Sequence, residues 1–175
     1  MITIKPMGLE DAPRIRDIDR SETIGSVYTC ANGVMEETKA GHECPNWQED
    51  DYTAIMSRFE RELRSGGTAY GAYDGETLVG FGVLASTFRG KEQDQLQLDL
   101  MYVTRAYRRQ GIGSRIMDAL SETAIAKGAK SLYISSTETE SAVKFYASRG
   151  SAPTDEVDEE LFAMEPLDIH MVKRL

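Results

Sequence analysis

Cysteine and histidine are scarce in this chain, with two of each among 175 residues. Two thiols cannot build the disulfide framework of a small secreted fold. Cys30, His42 and Cys44 offer three ligands at spacings that match no standard zinc pattern, so the chain reads as metal-free. Long apolar runs are missing too: none approaches the ~18 residues that a membrane span needs. The opening MITIKPMGLE lacks the apolar core of a signal peptide, so a cytoplasmic protein with no membrane partner is expected. Positive charge is in deficit, and a net charge of -9 repels phosphate backbones, which argues against a nucleic-acid partner. Cationic or amine-bearing partners are drawn in instead, and the composition is compatible with a homodimer.

What the chain does have is periodicity. Ile2 and Ile4 alternate with Thr3 and Lys5, which predicts a strand ended by Pro6. Leu9, Ala12, Ile15 and Ile18 recur at helical spacing, with Pro13 in the tolerant first turns, so a first helix is expected to end at Glu22. Asn32-Gly33 between two alternating runs signals a hairpin. Polar residues run on to Pro45, and Ile55, Phe59 and Leu63 then mark a helix from Trp47, stopped by Gly66-Gly67.

TAYGAYD, TLVGFGVLAST and LQLDLMYV read as three strands, with a turn at Asp74-Gly75. The next helix carries Ile112, Ile116, Leu120 and Ala124 on one stripe and ends near Gly128. SLYISS reads as a buried strand, and a short helix from Thr139 carries Ala142, Val143, Phe145 and Tyr146. Asp155 to Glu165 reads as an acidic loop, and DIHMVKRL as a last strand. The sum is one α/β (α+β) domain over residues 1–175. Its first half is mostly antiparallel, and a βαβ unit spans Leu96 to Ser136.

The segment RRQGIGSRIMDAL, Arg108 to Leu120, carries the densest chemistry. A helix start leaves about four backbone N–H groups unpaired and carries roughly half a positive charge, so it receives anions readily. Gly111 and Gly113 remove side chains that would hold a phosphate off those donors, and Arg108 and Arg109 add charge at the rim. The turn lacks the third glycine of a dinucleotide fingerprint and the Lys-Ser/Thr of a P-loop. Local chemistry alone leaves two readings, a diphosphate site or a plain helix start.

In its wider context LMYVTRAYRRQGIGSRIM resembles motif A of the GNAT superfamily of acyl-CoA-dependent N-acetyltransferases. Arg108, Gly111 and Gly113 fit its Arg/Gln-x-x-Gly-x-Gly/Ala signature, and Val103 and Tyr107 fit the approach to it. SAVKFYASRG, about 30 residues on, resembles the next family motif, a short helix with Ala-x-x-Phe-Tyr that ends in Gly. The resemblance implies a mixed, mostly antiparallel central sheet with splayed strands at its centre and flanking helices.

It also implies a co-substrate, acetyl-CoA, and no metal. The diphosphate is expected on the amides of Arg109, Gln110, Gly111, Ile112, Gly113 and Ser114. The pantetheine arm is expected along the main chain of Met101, Tyr102 and Val103, which needs an exposed strand edge opposite Leu132 to Ser136. Tyr146 stands where the family's tyrosine protonates the departing thiolate, as a phenol with a pKa near 10 can do. Read without the resemblance, Tyr146 is a core aromatic on the buried face of its helix, beside Phe145.

The chain also departs from the family pattern. Thr139 occupies a position where many members carry a pantetheine-binding Asn, and Thr still donates one hydrogen bond. Where some members carry a glutamate base, this chain has Gln97 and Ile134, which accept no proton. Asp99, sharing strand parity with Gln97 and Met101, and Glu22, near the expected acceptor mouth, are the substitute candidates. The acceptor groove is expected under Ile24 to Trp47 and under Asp155 to Glu165, where six of eleven residues are acidic. Such a lip either attracts a cationic amine or is a solvated loop.

The expected activity is direct acetyl transfer to a primary amine of a small molecule or peptide. A non-catalytic acyl-CoA-binding sensor or interaction module is the alternative from another class.

Overall fold

The apolar runs resolve into two sheets and four α-helices in the computed structural model of the protein, which describes residues 1–175. Strands β1 (Ile2–Met7), β4 (Thr68–Asp74), β5 (Thr77–Arg89), β6 (Gln95–Val103), β7 (Ser131–Ser136), β8 (Ser151–Pro153) and β9 (Ile169–Arg174) form one sheet. Its order is β1-β4-β5-β6-β7-β9-β8. Only β6 and β7 run parallel, and α2 (Ile112–Ala126) joins them. Strands β2 (Glu22–Ala31) and β3 (Val34–Cys44) make a separate hairpin. The helices α1 (Glu49–Arg64), α3 (Glu140–Ser148) and α4 (Glu159–Met164) complete the fold. It is the mixed, mostly antiparallel sheet with flanking helices that the sequence predicts.

Two cores sandwich the sheet. Leu96, Leu98, Leu132 and Ile134 pack with Ile116, Leu120 and Ala124 of α2 on one face. On the other, Phe81, Val83 and Leu100 pack with Phe59 of α1 and Ile15 and Ile18 from the N-terminal segment. Phe59 and Phe81 are fully buried, with ring centroids 6.2 Å apart in an edge arrangement. Each such side chain stabilises the fold by about 2 kcal/mol through apolar burial.

Several local expectations change. The strand β1 runs through Pro6, which pairs in register with Tyr70; the sheet edge tolerates the missing N–H because no outer neighbour needs it. Leu9–Asp17 is a 3-10 helix and Glu22 opens β2 instead of ending a helix. The spacing of Leu9, Ala12, Ile15 and Ile18 is an unbroken three, the period of a 3-10 helix. The hairpin forms as expected, with Asn32 and Gly33 at φ of 52° and 76°, but its second strand continues to Cys44 through polar sequence. Cys30 pairs with Met35 near the tip and Cys44 with Glu22 at the base, so the two thiols lie at opposite ends.

Two short elements had no periodic signal. The strand β8 has three residues, and the six-residue α4, inside the expected acidic loop, buries only Leu161. Asp158 caps α4 by accepting the Leu161 N–H at 3.0 Å.

Candidate active site

The parallel pairing of β6 with β7 stops early. Gln95 to Leu98 pair with Ser131 to Ile134, and beyond Leu98 the strands separate: β7 stays with β9 while β6 stays with β5. A wedge-shaped gap opens between Met101–Val103 on one side and Ser135–Ser136 on the other. A bulge starts the divergence. Val83 pairs with Leu100 and Leu84 with Leu98, so Asp99 is an extra residue that reverses the facing of the strand beyond it. The expected shared parity of Gln97, Asp99 and Met101 therefore breaks: Leu98 lies in the α2-side core and Leu100 in the α1-side core.

Main-chain direction follows from the alternation. Thr104 donates its N–H to Val79 of β5 at 2.9 Å, so Val103 and Met101 turn their backbone groups toward the gap. The Val103 carbonyl is taken there by Arg108 Nε at 2.8 Å. Met101 therefore offers both of its main-chain groups, and Val103 its N–H, along the edge of the gap.

At the upper end of β6 a 3-10 turn, Arg105–Tyr107, leads into the glycine-rich turn and α2. Gly111, the residue before the helix, has φ 76° and ψ 4°, a left-handed conformation that favours glycine. A Cβ there would meet nothing within 4 Å, so the turn is open on that side. The first helical bond is Arg115 N–H to Gly111 O at 3.1 Å. The six amides from Arg109 to Ser114 donate to no acceptor in the chain. Such a run of free donors at a helix start fits a diphosphate.

Gly113 has a different physical basis: a Cβ there would press on the Phe145 ring at 3.3 Å, so this glycine lets α3 approach α2. The structure also divides the two arginines. Arg109, at φ 61°, and Gln110 are exposed at the rim. Arg108 turns inward, donating to Ser21 O at 2.9 Å and Asp19 O at 3.4 Å and lying 3.5 Å from the Glu22 carboxylate. It ties the turn to β2.

Tyr146 reaches the gap from α3, 9% exposed. Its ring meets Phe145 edge-on at 5.1 Å, and its hydroxyl has no hydrogen-bond partner in the chain. Burial, and then the neighbouring Tyr102 and Asp168, push its pKa well above the ordinary phenol value. It is therefore a protonated group at neutral pH. Thr139 sits at the start of α3, beside Val27 of β2, with its hydroxyl 3.3 Å from that of Thr137. The strand β2 passes close by: Tyr28 donates its N–H to Glu138 O at 2.7 Å.

The α1-facing wall of the gap is built from side chains. Tyr102 stacks edge-on against Trp47 at 4.7 Å, and Trp47 in turn meets Tyr52 at 5.5 Å. Arg58 of α1 grips Asp99 through both oxygens, at 2.5 and 3.0 Å, and the Asp99 carboxylate is only 4% exposed. Glu22 accepts from Ser141 Oγ at 2.9 Å. A third carboxylate, Asp168, precedes β9 and accepts from Ser135 Oγ at 2.7 Å. Burial pushes its pKa up to about 6, with Ser135 acting the other way. The expected Met101–Val103 edge, the turn and Tyr146 thus converge on one gap. Trp47, the end of the segment expected over the acceptor groove, reaches it as well, while Asp168 and Arg58 join it without having been singled out, because no local pattern brings residues 58 and 168 together.

An open cleft of about 610 Å³ lies between the β5–β6 turn and the segment before α4. Arg89, Lys91, Asp155, Glu156, Asp158 and Glu160 line it. Arg89 pairs with Asp158 at 3.0 Å and Glu160 at 3.4 Å, and Lys91 with Glu156 at 3.3 Å, so the lip is a charge network with acid in excess.

With this geometry the chain falls into a known class. Residues 31–150 match the acetyltransferase (GNAT) family, and the protein belongs to it. It is an acyltransferase that uses acetyl-CoA as co-substrate. Solved structures share its fold. Nourseothricin acetyltransferase is 20% identical, with 99% of this chain and 98% of that one covered at a TM-score of 0.73. A provisional streptothricin acetyltransferase from Bacillus anthracis str. Ames, in complex with acetyl coenzyme A, is 17% identical over all of both chains, at 0.71. PaiA N-acetyltransferase from Thermoplasma acidophilum, in complex with coenzyme A, is 17% identical over 100% of this chain and 99% of that one, at 0.65. No curated protein is significantly similar in sequence. No helix is long and apolar enough to cross a membrane.

Proposed function

We propose that the protein moves the acetyl group of acetyl-CoA to a primary amine of a small cationic molecule by direct transfer, with the whole chain acting as one catalytic domain. The observation that carries this reading is the phenol of Tyr146, protonated and without an internal partner, at a gap whose other side is a free strand edge. The six amides of Arg109 to Ser114 hold the diphosphate, and the Met101 and Val103 main chain aligns the pantetheine arm. The amine nitrogen attacks the carbonyl carbon, the carbon–sulfur bond breaks, and Tyr146 donates a proton to the sulfur. Fixing both reactants along one gap supplies much of the rate through proximity.

Acid excess in the cleft beside the β5–β6 turn shares no residue with the gap, and it supports a cationic acceptor through electrostatic attraction toward this side of the sheet. The likeness to nourseothricin acetyltransferase and to a provisional streptothricin acetyltransferase directs the choice of small-molecule acceptor.

The test is CoA release with nourseothricin, spermidine and an alanine-N-terminal peptide as acceptors. Wild type should turn over a cationic small amine. Tyr146→Phe should lose about 100-fold or more in kcat while still binding acetyl-CoA. Binding without release from any of these amines would overturn the reading. For the acceptor class, Glu156→Gln with Glu160→Gln should raise KM for the cationic amine several-fold at constant kcat. Asp158 is left intact in that variant because it caps α4. An unchanged KM removes the lip from recognition.

A further inference from the structure

We propose that Asp168 is the residue that receives the acceptor ammonium and takes its proton, a role that rests on the acetyl transfer proposed above. Of the three carboxylates held at the gap by side-chain hydrogen bonds, Asp99 gives both oxygens to Arg58 and Glu22 faces Arg108 and Ser141. Asp168 has no ion-pair partner; its one hydrogen bond comes from Ser135. Ser135 is the first β7 residue beyond the point where β6 and β7 part, so the bond places the carboxylate at the opening of the gap. Asp168 is close enough for its charge to raise the phenols of both Tyr146 and Tyr102. The proton donor and this carboxylate thus share one gap, while Tyr102 and Trp47 supply an aromatic wall that suits an ammonium.

The other charged groups that face Asp168 are Glu165 and Glu138, which raise its pKa, and Arg58, which lowers it. A half-buried carboxylate near pH 6 is ionised at neutral pH yet basic enough to hold a proton briefly, as a general base must be.

The balance closes. The ammonium loses one proton to Asp168, and the neutral amine forms the nitrogen–carbon bond as the carbon–sulfur bond breaks. Tyr146 protonates the sulfur, and the phenolate recovers the proton shed by the new amide nitrogen. Asp168 returns its proton to water. The products are the acetylated amine, CoA thiol and one proton.

The same burial sets a stability signature. Folding favours the protonated acid, so the cost of ionising Asp168 is absent below its ordinary value of 3.8. The cost grows as pH rises and is complete above about 6. Asp168→Asn keeps an acceptor for Ser135 and removes that cost.

The experiment combines pH profiles of kcat/KM with thermal melts, using acetyl-CoA and whichever of nourseothricin, spermidine and the alanine peptide turns over fastest. Wild type should show an acid limb near pH 6. Asp168→Asn should lose that limb and about 100-fold or more in rate, bind acetyl-CoA normally, and melt higher than wild type at pH 7.5 but not at pH 4. Ser135→Ala should move the limb to higher pH. A retained limb with a rate within about threefold of wild type overturns the proposal and leaves acetyl transfer standing. A lower melting temperature of Asp168→Asn at pH 7.5 assigns a structural role and also overturns it. Absence of wild-type turnover overturns both.

Discussion

The two walls of the gap are made of different material. The proposed cofactor wall is almost entirely main chain: six consecutive amides at the head of α2 and the backbone of Met101 and Val103. The proposed acceptor wall is almost entirely side chain, with Trp47, Arg58, Asp99, Tyr102 and Asp168 arriving from four separate segments. A main-chain site depends on backbone shape and tolerates many side chains, provided none blocks the amides. A side-chain site depends on partners, and removing one strands another. A family can thus keep one cofactor while its acceptors diverge.

The largest effect that separates the two walls is expected at Arg58. Arg58→Met leaves the nearly inaccessible Asp99 carboxylate without its partner, which should cost about 3 kcal/mol, or roughly 10 °C in Tm. The pair Arg58→Met with Asp99→Leu should recover most of that loss, since an apolar replacement leaves no stranded charge. Denaturant melts of the two single variants and the double measure the coupling. Acetyl-CoA affinity should stay near wild type throughout, because neither residue belongs to the main-chain wall. If Arg58→Met costs under about 1 kcal/mol, water reaches Asp99 and the acceptor wall is softer than its packing implies.

The same division explains which features are legible in the amino-acid sequence. The proposed cofactor wall is legible because its parts are contiguous: a strand, a turn with Gly111 and Gly113, and a striped helix lie within about 30 residues. Most other elements follow from alternation or helical stripes. The exceptions are telling. A spacing of three from Leu9 to Ile18 fits both helix types, and only the structure decides for the 3-10 form. The polar strand Glu36 to Glu43 belongs to an isolated hairpin with little buried face, so the alternation that reveals a strand is absent. The bulge at Asp99 is a tertiary adjustment, and it overturns the parity that would place this residue beside Met101. Asp168 follows an acidic segment and has no motif around it; only the pairing of β7 with β9 sets it against Ser135.

The smallest expected effects test the cofactor wall itself, where two glycines two residues apart serve different ends. Gly111→Ala keeps every amide donor but places a Cβ on the open side of the turn, at a φ of 76°. It should cost about 1 kcal/mol of stability for the left-handed backbone and weaken acetyl-CoA binding about tenfold. Gly113→Ala instead points its Cβ at the Phe145 ring, 3.3 Å away. It should cost a similar amount of stability through α2–α3 packing, with affinity changed less than about threefold. Calorimetric titration with acetyl-CoA, paired with thermal melts, separates the two. Equal losses of affinity would mean that both glycines face the diphosphate. Loss at Gly113 alone would mean that the approach of α3, and not the open turn, shapes the anion site.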